Sequence, residues 1–437
     1  YFQSALSRNI LPILSNLSQI YLPFQSLEFF QIIICILQFL CSSFWTPAGN
    51  YWIKNKFMSI LHYIAFFSTI HRDNTENIIL CCVLLAVVFI ISILFLIEFI
   101  HFYKTRRIIK TILIIIRIYF IVFGGAIIHP LSSLIGHLFD VTIQTHKASH
   151  IIMLIFTFIG FLLAEGLFYI NQKFINQSIY IHKSLWVTFD STLLLFLFMW
   201  NPLFLLLSHL FKYYPIWALF ILIFFHILLI ISSFVNYTWM SCIDDLGNAI
   251  QPSILCSLIF NDIFRIVVEC FNFIQEEYFV LICFLVFVVL ILVFILVNRF
   301  IRKKINLNLS YSQLNALPEF AEKDNLRNYD PSIEGKFNYF AELNLDHKIN
   351  KAMVYLIVGF KSCSEMFVDY SLIHFCMDNY QQSSKMMVLL IHLLSYFKSE
   401  GKRLDMLLKL LHLNRDLDFY SHFIFYQVNH VKIFRQT

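Results

Sequence analysis

Seven ionisable side chains lie inside long apolar runs of the sequence: Glu98, Arg117, Glu165, Asp190, Asp262, Arg265 and Glu269. An ionised group inside hydrocarbon costs several kcal/mol unless it is paired or hydrated, so these residues are the first candidates for chemistry. Asp262, Arg265 and Glu269 have the spacing i, i+3 and i+7. This spacing puts them on one face of a helix, with Arg265 able to bridge both acids.

Two interpretations of these residues stay open. The first is a substrate, proton or ligand site inside the membrane. The second is a set of ion pairs that lock helices together, for example Arg117 with Asp190, and we favour it as the simpler one. The candidate polar set is Arg117, Glu165, Asp190, Asp262, Arg265 and Glu269. The sequence indicates no catalytic residue, no cofactor site and no metal site.

A histidine-rich stretch follows the third apolar run. Residues 129–150 contain His129, His137, His146 and His150 together with Asp140. A metal site would need several of these ligands to converge on one point, and only His146 and His150, four residues apart, have a spacing that places them on one side. We expect an external loop whose histidines are solvated.

Motifs of the common enzyme classes are missing from the sequence. It contains no phosphate-binding GxxxxGK[ST], no HExxH zinc motif, no GxSxG nucleophile elbow and no kinase signature. The net charge is only +5, and the basic residues are dispersed, which argues against nucleic acid as a partner. Whether the protein is part of an enzyme stays open.

Composition identifies the class of protein. Of the 437 residues 59% are hydrophobic and only 14% are charged, against about 45–50% and about 25% in soluble domains. Residues 301–437 hold 31 of the 59 charged residues. The chain therefore divides into a charge-poor membrane block and a tail of soluble composition, and the lipid bilayer is its first partner.

Apolar runs near twenty residues predict transmembrane helices rather than strands. The clear runs are 27–45, 78–103, 108–128, 151–170, 186–210, 214–235 and 277–300. Within them only Gly124-Gly125 and Asn201-Pro202 interrupt the helical pattern. Residues 57–70 are short for a span, and residues 253–272 carry three charges. The fold class predicted is all-α, a polytopic bundle of eight or nine spans.

The positive-inside rule orients this bundle. Basic residues cluster between the second and third runs and again after the last run: Lys104, Arg106, Arg107, Lys110, Arg299, Arg302, Lys303 and Lys304. Both clusters lie in the cytoplasm only if 253–272 also spans. The tail is then cytoplasmic, whereas the side of the N-terminus depends on whether 57–70 spans.

Four regions follow from these patterns: an N-terminal segment 1–26, a transmembrane domain 27–300, a linker 301–346 and a cytoplasmic helical region 347–437. The tail helices are predicted at 347–361, 364–379, 383–398, 401–413 and 416–434. Short helices joined by short turns form antiparallel hairpins, and stacked hairpins form a solenoid of the tetratricopeptide kind. Fewer than three hairpins fit the tail, so we expect the stack to continue past Thr437.

Several short stretches resemble one family. They are Leu11-Pro12-Ile13-Leu14, Ser43-Phe44-Trp45, Tyr355–Phe360, Leu394–Phe397, Phe419–Val428 and Phe434-Arg435-Gln436. They are similar to large trichomonad membrane proteins in which a multi-span region precedes TmcB/TmcC-type helical repeats. The resemblance implies a C-terminal adenylate or guanylate cyclase domain in many members. Its catalytic residues would lie beyond residue 437.

The function expected is a membrane anchor and sensor region of a receptor-type signalling protein in the plasma membrane, linked to a nucleotide cyclase outside this chain. Its helical repeats would contact cytoplasmic signalling domains, and a homodimer is one oligomeric state that the sequence leaves open. Coupling would pass from the span 277–300 through Arg299–Lys304 into the repeats. The alternative is a transporter or channel with a regulatory tail. The acids inside the spans are the reason for this alternative.

Overall fold

A computed structural model gives the fold of the chain. It describes residues 2–20, 22, 24–44, 74–178, 188, 191–210, 220, 223–224, 227–228, 231, 249–250, 253–257, 259–260, 263, 282, 285–297, 299–300, 419–420, 422–424 and 426–427. Within these residues the chain is almost entirely helical and has no β-strand, which confirms the all-α class. The predicted segments 57–70 and 301–346, and the solenoid apart from 419–427, lie outside the described residues.

Between residues 2 and 210 the described residues form seven α-helices, a 3₁₀ helix and a π-helix. The α-helices are α1 (Phe2–Gln19), α2 (Gln25–Phe44), α3 (Asn74–Thr105), α4 (Lys110–Val122), α5 (Ile128–Thr145), α6 (Ala148–Ile170) and α7 (Thr192–Leu210). The 3₁₀ helix Gly124–Ile127 joins α4 to α5, and the π-helix Asn171–Ile175 extends α6. The N-terminal segment is therefore itself a helix.

Three helical stretches in the described part of the chain are long and apolar enough to cross a membrane. They are Ile78–Thr105, Gly124–Thr145 and Ala148–Ile175. Ser26–Phe39, Leu194–Leu203 and Leu285–Val297 are shorter apolar helices. These three candidates support a membrane protein, but they are fewer than the eight or nine spans predicted.

The predicted external loop 129–150 is wrong. Residues Ile128–Thr145 form α5, which begins directly after the 3₁₀ helix. His146 caps its C-terminal end and has the left-handed backbone conformation. In the most apolar 18-residue window of Gly124–Thr145, 72% of the residues are buried inside the protein. This helix contacts other helices rather than lipid, so it tolerates histidine, serine and glycine that a lipid-facing span would exclude.

The predicted single span 108–128 is also wrong. Helix α4 ends at Val122, and Gly124 takes a φ of +37°, which turns the chain into the 3₁₀ helix and then into α5. Thirteen residues of α4 rise only about 20 Å, less than a hydrocarbon core of about 30 Å. The sequence interruption Gly124-Gly125 is thus a true break between two helices.

Helix α5 is at the centre of the bundle. It packs most extensively against α6 and α7, while α3 packs against both α4 and α6. Large apolar side chains remain exposed along α3 and α6, among them Ile90, Ile93, Leu96, Ile152, Ile155 and Leu162. Because such side chains are stable in hydrocarbon and not in water, the outer surfaces of α3 and α6 are suited to lipid.

Candidate functional site: a polar seam at the helix break and a docked C-terminal segment

Helix α2 supplies hydrogen bonds to the break between α4 and α5. Pro130 has no amide hydrogen, so the carbonyl oxygen of Ala126, four residues earlier, has no helical donor. The Nε2 atom of Gln38 donates to that oxygen at 2.7 Å. Gln31, two turns earlier on α2, donates to the carbonyl oxygen of Phe120 at 3.2 Å, where α4 is ending.

The two glycines of the break allow close approach of neighbouring side chains. A Cβ atom on Gly124 would overlap the side-chain amide of Gln31, and one on Gly125 would overlap the ring of Phe198. The positive φ of Gly124 would also strain any other residue. Glycine is therefore required here by both backbone conformation and space.

A second polar contact joins α5 to α7. The Nδ2 atom of Asn201 lies 2.9 Å from Nε2 of His129, whose side chain is completely buried. An amide NH₂ group can only donate, so Nε2 of His129 accepts and the neutral ring carries its proton on Nδ1. Phe39 and Phe198 present their rings at right angles to the imidazole, 4.9 and 5.8 Å away between centroids.

Helix α7 contains a proline beside this contact. Pro202 lies inside the helix, and its carbonyl oxygen accepts a hydrogen bond from the hydroxyl of Ser132 on α5. The helix break at Gly124-Gly125 and the pair Asn201-Pro202 within α7, separate in the sequence, therefore both lie beside the first turns of α5. We call the group formed by Gln31, Gln38, Gly124, His129, Ser132 and Asn201 the polar seam.

The chemistry available to the polar seam is hydrogen bonding. Its members are buried, and it contains neither a carboxylate nor a thiol. The Nδ1 atom of His129 is buried and has no hydrogen-bond partner within the described residues. Among these residues no group of three His, Cys, Asp or Glu side chains could hold a metal ion. The seam joins α2, α4, α5 and α7 by hydrogen bonds around the helix break.

Arg117 is buried on α4 and faces helix α2. The carboxylate of Glu28 interacts favourably with its guanidinium, whereas Asp190, the predicted partner, lies outside the described residues. Among the described residues the Nε atom of Arg117 has no hydrogen-bond partner. The interpretation of Arg117 as one half of an ion pair with Asp190 stays a prediction.

Glu165 lies on α6, half-buried in a candidate span. Its Oε1 atom is buried, and no described residue hydrogen-bonds to it. Asp262, Arg265 and Glu269, predicted to share a helical face, lie outside the described residues. The structure thus describes only Arg117 and Glu165 of the candidate set, on different helices.

Glu98 has a structural role. Its Oε1 atom accepts a hydrogen bond of 3.0 Å from the backbone N–H of Ile109, the residue that precedes α4. The first N–H groups of a helix have no partner within it, so a carboxylate from α3 satisfies one of them. This acid fixes the turn between α3 and α4, and its burial follows from that contact.

The histidines of the predicted loop separate in the structure. His129 belongs to the polar seam, while His146 ends α5 with a φ of 52°. The Nδ1 atom of His150 forms a hydrogen bond of 2.8 Å with the hydroxyl of Thr145. The spacing of His146 and His150 therefore reflects a helix end.

A second site lies where α6 ends. The π-helix and the residues after it contact a short helical segment near the end of the chain, residues 419–427, which we call the C-terminal segment. The hydroxyl of Tyr420 donates to the carbonyl oxygen of Gln177 at 2.8 Å. Phe423 is completely buried, with its ring centroid 5.3 Å from that of Phe174.

Further contacts fix the same segment to the membrane helices. The Nζ atom of Lys173 lies 4.5 Å from the ring centroid of Tyr420, within the range of a cation–π contact. Gln427 donates from Nε2 to the hydroxyl of Ser18 on α1 at 2.8 Å. Residues more than 400 positions apart in the sequence are thus in direct contact.

Helix α1 bridges this site and the turn that follows α3. Near the middle of α1 the Oδ1 atom of Asn9 accepts a hydrogen bond of 2.6 Å from Nη1 of Arg106. Asn9 and Ser18 are nine residues apart, about 14 Å along the helix axis. The basic turn, α1, the π-helix and the C-terminal segment therefore form one connected surface.

Most residues of the polar seam and of the C-terminal segment were not predicted from the sequence as parts of a site. The sequence contained two signals for the polar seam. One is the pair Gln31 and Gln38, seven residues apart within one apolar run, and the other is Pro130 inside a helical pattern. The C-terminal segment was predicted only as part of the helix 416–434. Compared with protein families, curated proteins and solved structures, the chain matches none of them.

Proposed function

We propose that this chain is the membrane anchor and sensor region of a receptor-type signalling protein. The docked C-terminal segment is the observation that carries the proposal. A segment within the predicted soluble tail packs against α1 and the end of a candidate span, so a change in the membrane helices has a direct route to that tail.

The finer features of the proposal come from the sequence. They are a bundle of eight or nine spans in the plasma membrane, a cytoplasmic C-terminus and a solenoid of helical hairpins that contacts signalling domains. A nucleotide cyclase outside this chain is the proposed output, following the resemblance to trichomonad membrane proteins, and a homodimer is a compatible state.

The proposed relay starts at the polar seam. The 3₁₀ helix contacts α6, which continues without a turn into the π-helix, and the π-helix contacts the C-terminal segment. A π-helix is a wide and less stable form of helix, often found at functional positions. A shift of α6 along its axis would therefore change the contact at Phe174.

Amide hydrogen exchange of the whole chain in lipid nanodiscs tests this relay. We expect Gln38→Leu, which removes a donor from the polar seam, to raise exchange in residues 419–427 several-fold. Ile155→Val, a matched change on the exposed side of α6, leaves that exchange unaltered. Unaltered exchange in both variants, with both folded, would contradict the relay.

The second candidate function is a transporter or channel, and the polar seam favours it specifically. Transporters bind substrates where helices are interrupted inside the membrane, and here the helix break at Gly124-Gly125 lies beside Asn201 and Pro202 of α7. Flux measurements in proteoliposomes distinguish the two functions. Loss of a measured solute flux in Asn201→Leu supports transport, while changed exchange in 419–427 without any flux supports sensing.

A further inference from the structure

Basic side chains converge at the end of α3. Lys104, Arg106, Arg107 and Lys110 are all exposed, and Arg8 on α1 is exposed as well. We call these five residues the basic cluster. Arg8 belongs to α1, and the other four lie between the last turn of α3 and the first residue of α4. The hydrogen bond from Arg106 to Asn9, the residue after Arg8, brings α1 and the turn together.

The basic cluster lies where a lipid headgroup would be. The candidate span Ile78–Thr105 ends within it, and the large apolar side chains of the preceding turns are exposed. Tyr103, with 60% of its surface exposed, has the amphipathic side chain that membrane interfaces favour. A bilayer around this span would bring its headgroups to the level of the basic residues.

The basic cluster has little opposing charge on its own elements. Helix α1 contains no acidic residue, and Glu98 is the only acid between residues 98 and 117. Glu98 is buried, with its carboxylate bound to the backbone N–H of Ile109. The positive charge of the cluster is therefore directed outward.

We propose that the basic cluster binds the headgroups of anionic phospholipids in the leaflet where α3 ends. Charge complementarity and the end of the span at this level carry the proposal. Each Lys or Arg close to an anionic surface contributes about 1 kcal/mol, roughly a fivefold change in affinity. Asn9 and Arg106 fix the distance between α1 and the turn, which makes the surface a preformed one.

Native mass spectrometry of the full chain in detergent tests the proposal with dioleoyl phosphatidylserine and dioleoyl phosphatidylcholine as probes. The variant R107Q/K110Q removes two exposed charges of the basic cluster. The matched control K147Q/R299Q removes two exposed charges elsewhere. We expect phosphatidylserine to bind more tightly than phosphatidylcholine, and R107Q/K110Q to weaken it about thirty-fold.

Three results would overturn the proposal. Equal binding of the two lipids would exclude headgroup charge as the basis, and equal losses in both variants would indicate attraction to any positive charge. Binding of glycerophosphoserine, the headgroup without its acyl chains, as tightly as the lipid would identify a soluble anion instead. Loss in R107Q/K110Q alone, reduced in high salt, supports the lipid site.

Discussion

Two neighbouring helices of this protein, α5 and α6, show how differently a membrane helix can be built. In the most apolar window of Gly124–Thr145 72% of the residues are buried, against 28% in Ala148–Ile175. The first helix carries His129, Ser132 and Gly136 on its buried surface, whereas the second exposes apolar side chains over most of its length. Lipid selects the composition of α6, and contact with other helices selects that of α5.

This difference explains which spans can be identified from sequence. Hydropathy measures suitability for lipid, so it identifies an outer helix and underestimates a central one. The comparison can be tested by matched substitutions, one at a position packed against α5 and the other on α6.

The largest effect is expected from Phe198→Ala. Phe198 is completely buried between Phe39, His129 and Phe168, so truncation leaves a cavity and costs about 3 to 5 kcal/mol. Phe156→Ala on α6, where 51% of the side chain is exposed, costs less than about 1 kcal/mol. Chemical unfolding in mixed micelles gives both values, and equal losses would remove the distinction between the helices.

A smaller loss is expected from Gly125→Ala. The added methyl group overlaps the ring of Phe198, and overpacking of this kind costs about 1 to 3 kcal/mol. Gly166→Ala on α6 meets no atom within 4 Å and gains about 0.5 to 1 kcal/mol from helix propensity. The same unfolding assay measures both, and a neutral Gly125→Ala would show that the break is loosely packed.

Gln38→Leu tests whether the polar seam stabilises the break. The substitution leaves the carbonyl oxygen of Ala126 without its donor, at a cost of about 1 to 2 kcal/mol. Full stability in Gln38→Leu would mean that the carbonyl finds another donor.

The smallest effect is expected from Tyr420→Phe. It removes only the hydroxyl that donates to Gln177, at a cost of about 1 kcal/mol, and retains the ring contacts with Phe174 and Lys173. Amide exchange of residues 419–427 should rise about fivefold, while exchange in α5 stays constant. A rise that extends to α5 would indicate general unfolding.

The sequence predicted part of this fold for identifiable physical reasons. The helices α3 and α6 follow from uninterrupted apolar runs, and the interruption at Gly124-Gly125 follows from residue type. Helix α5 does have the helical spacing Leu131, Leu134, Ile135 and Leu138, all of them buried, but the polar residues between them gave the stretch the composition of a loop. Periodicity was the better signal there.

The sites were harder to predict than the helices. The contact of His129 with Asn201 and that of Gln427 with Ser18 join residues 72 and 409 positions apart, and no local pattern specifies such pairs. Arg117 and Glu165 were identified by their charge, whereas the neutral amides Gln31, Gln38 and Asn201 form half of the seam. A neutral amide costs less to bury than a charge, which makes it less conspicuous in an apolar run.

The docking of the C-terminal segment is the central claim, and photo-crosslinking tests it most directly. The full chain, with p-benzoyl-phenylalanine in place of Phe419, is irradiated in its native membrane, and the joined peptides are identified by mass spectrometry. Phe419 lies 5.6 Å from Phe174 between ring centroids, so we expect crosslinks to residues 171–178. Crosslinks confined to lipid or to other proteins would contradict it.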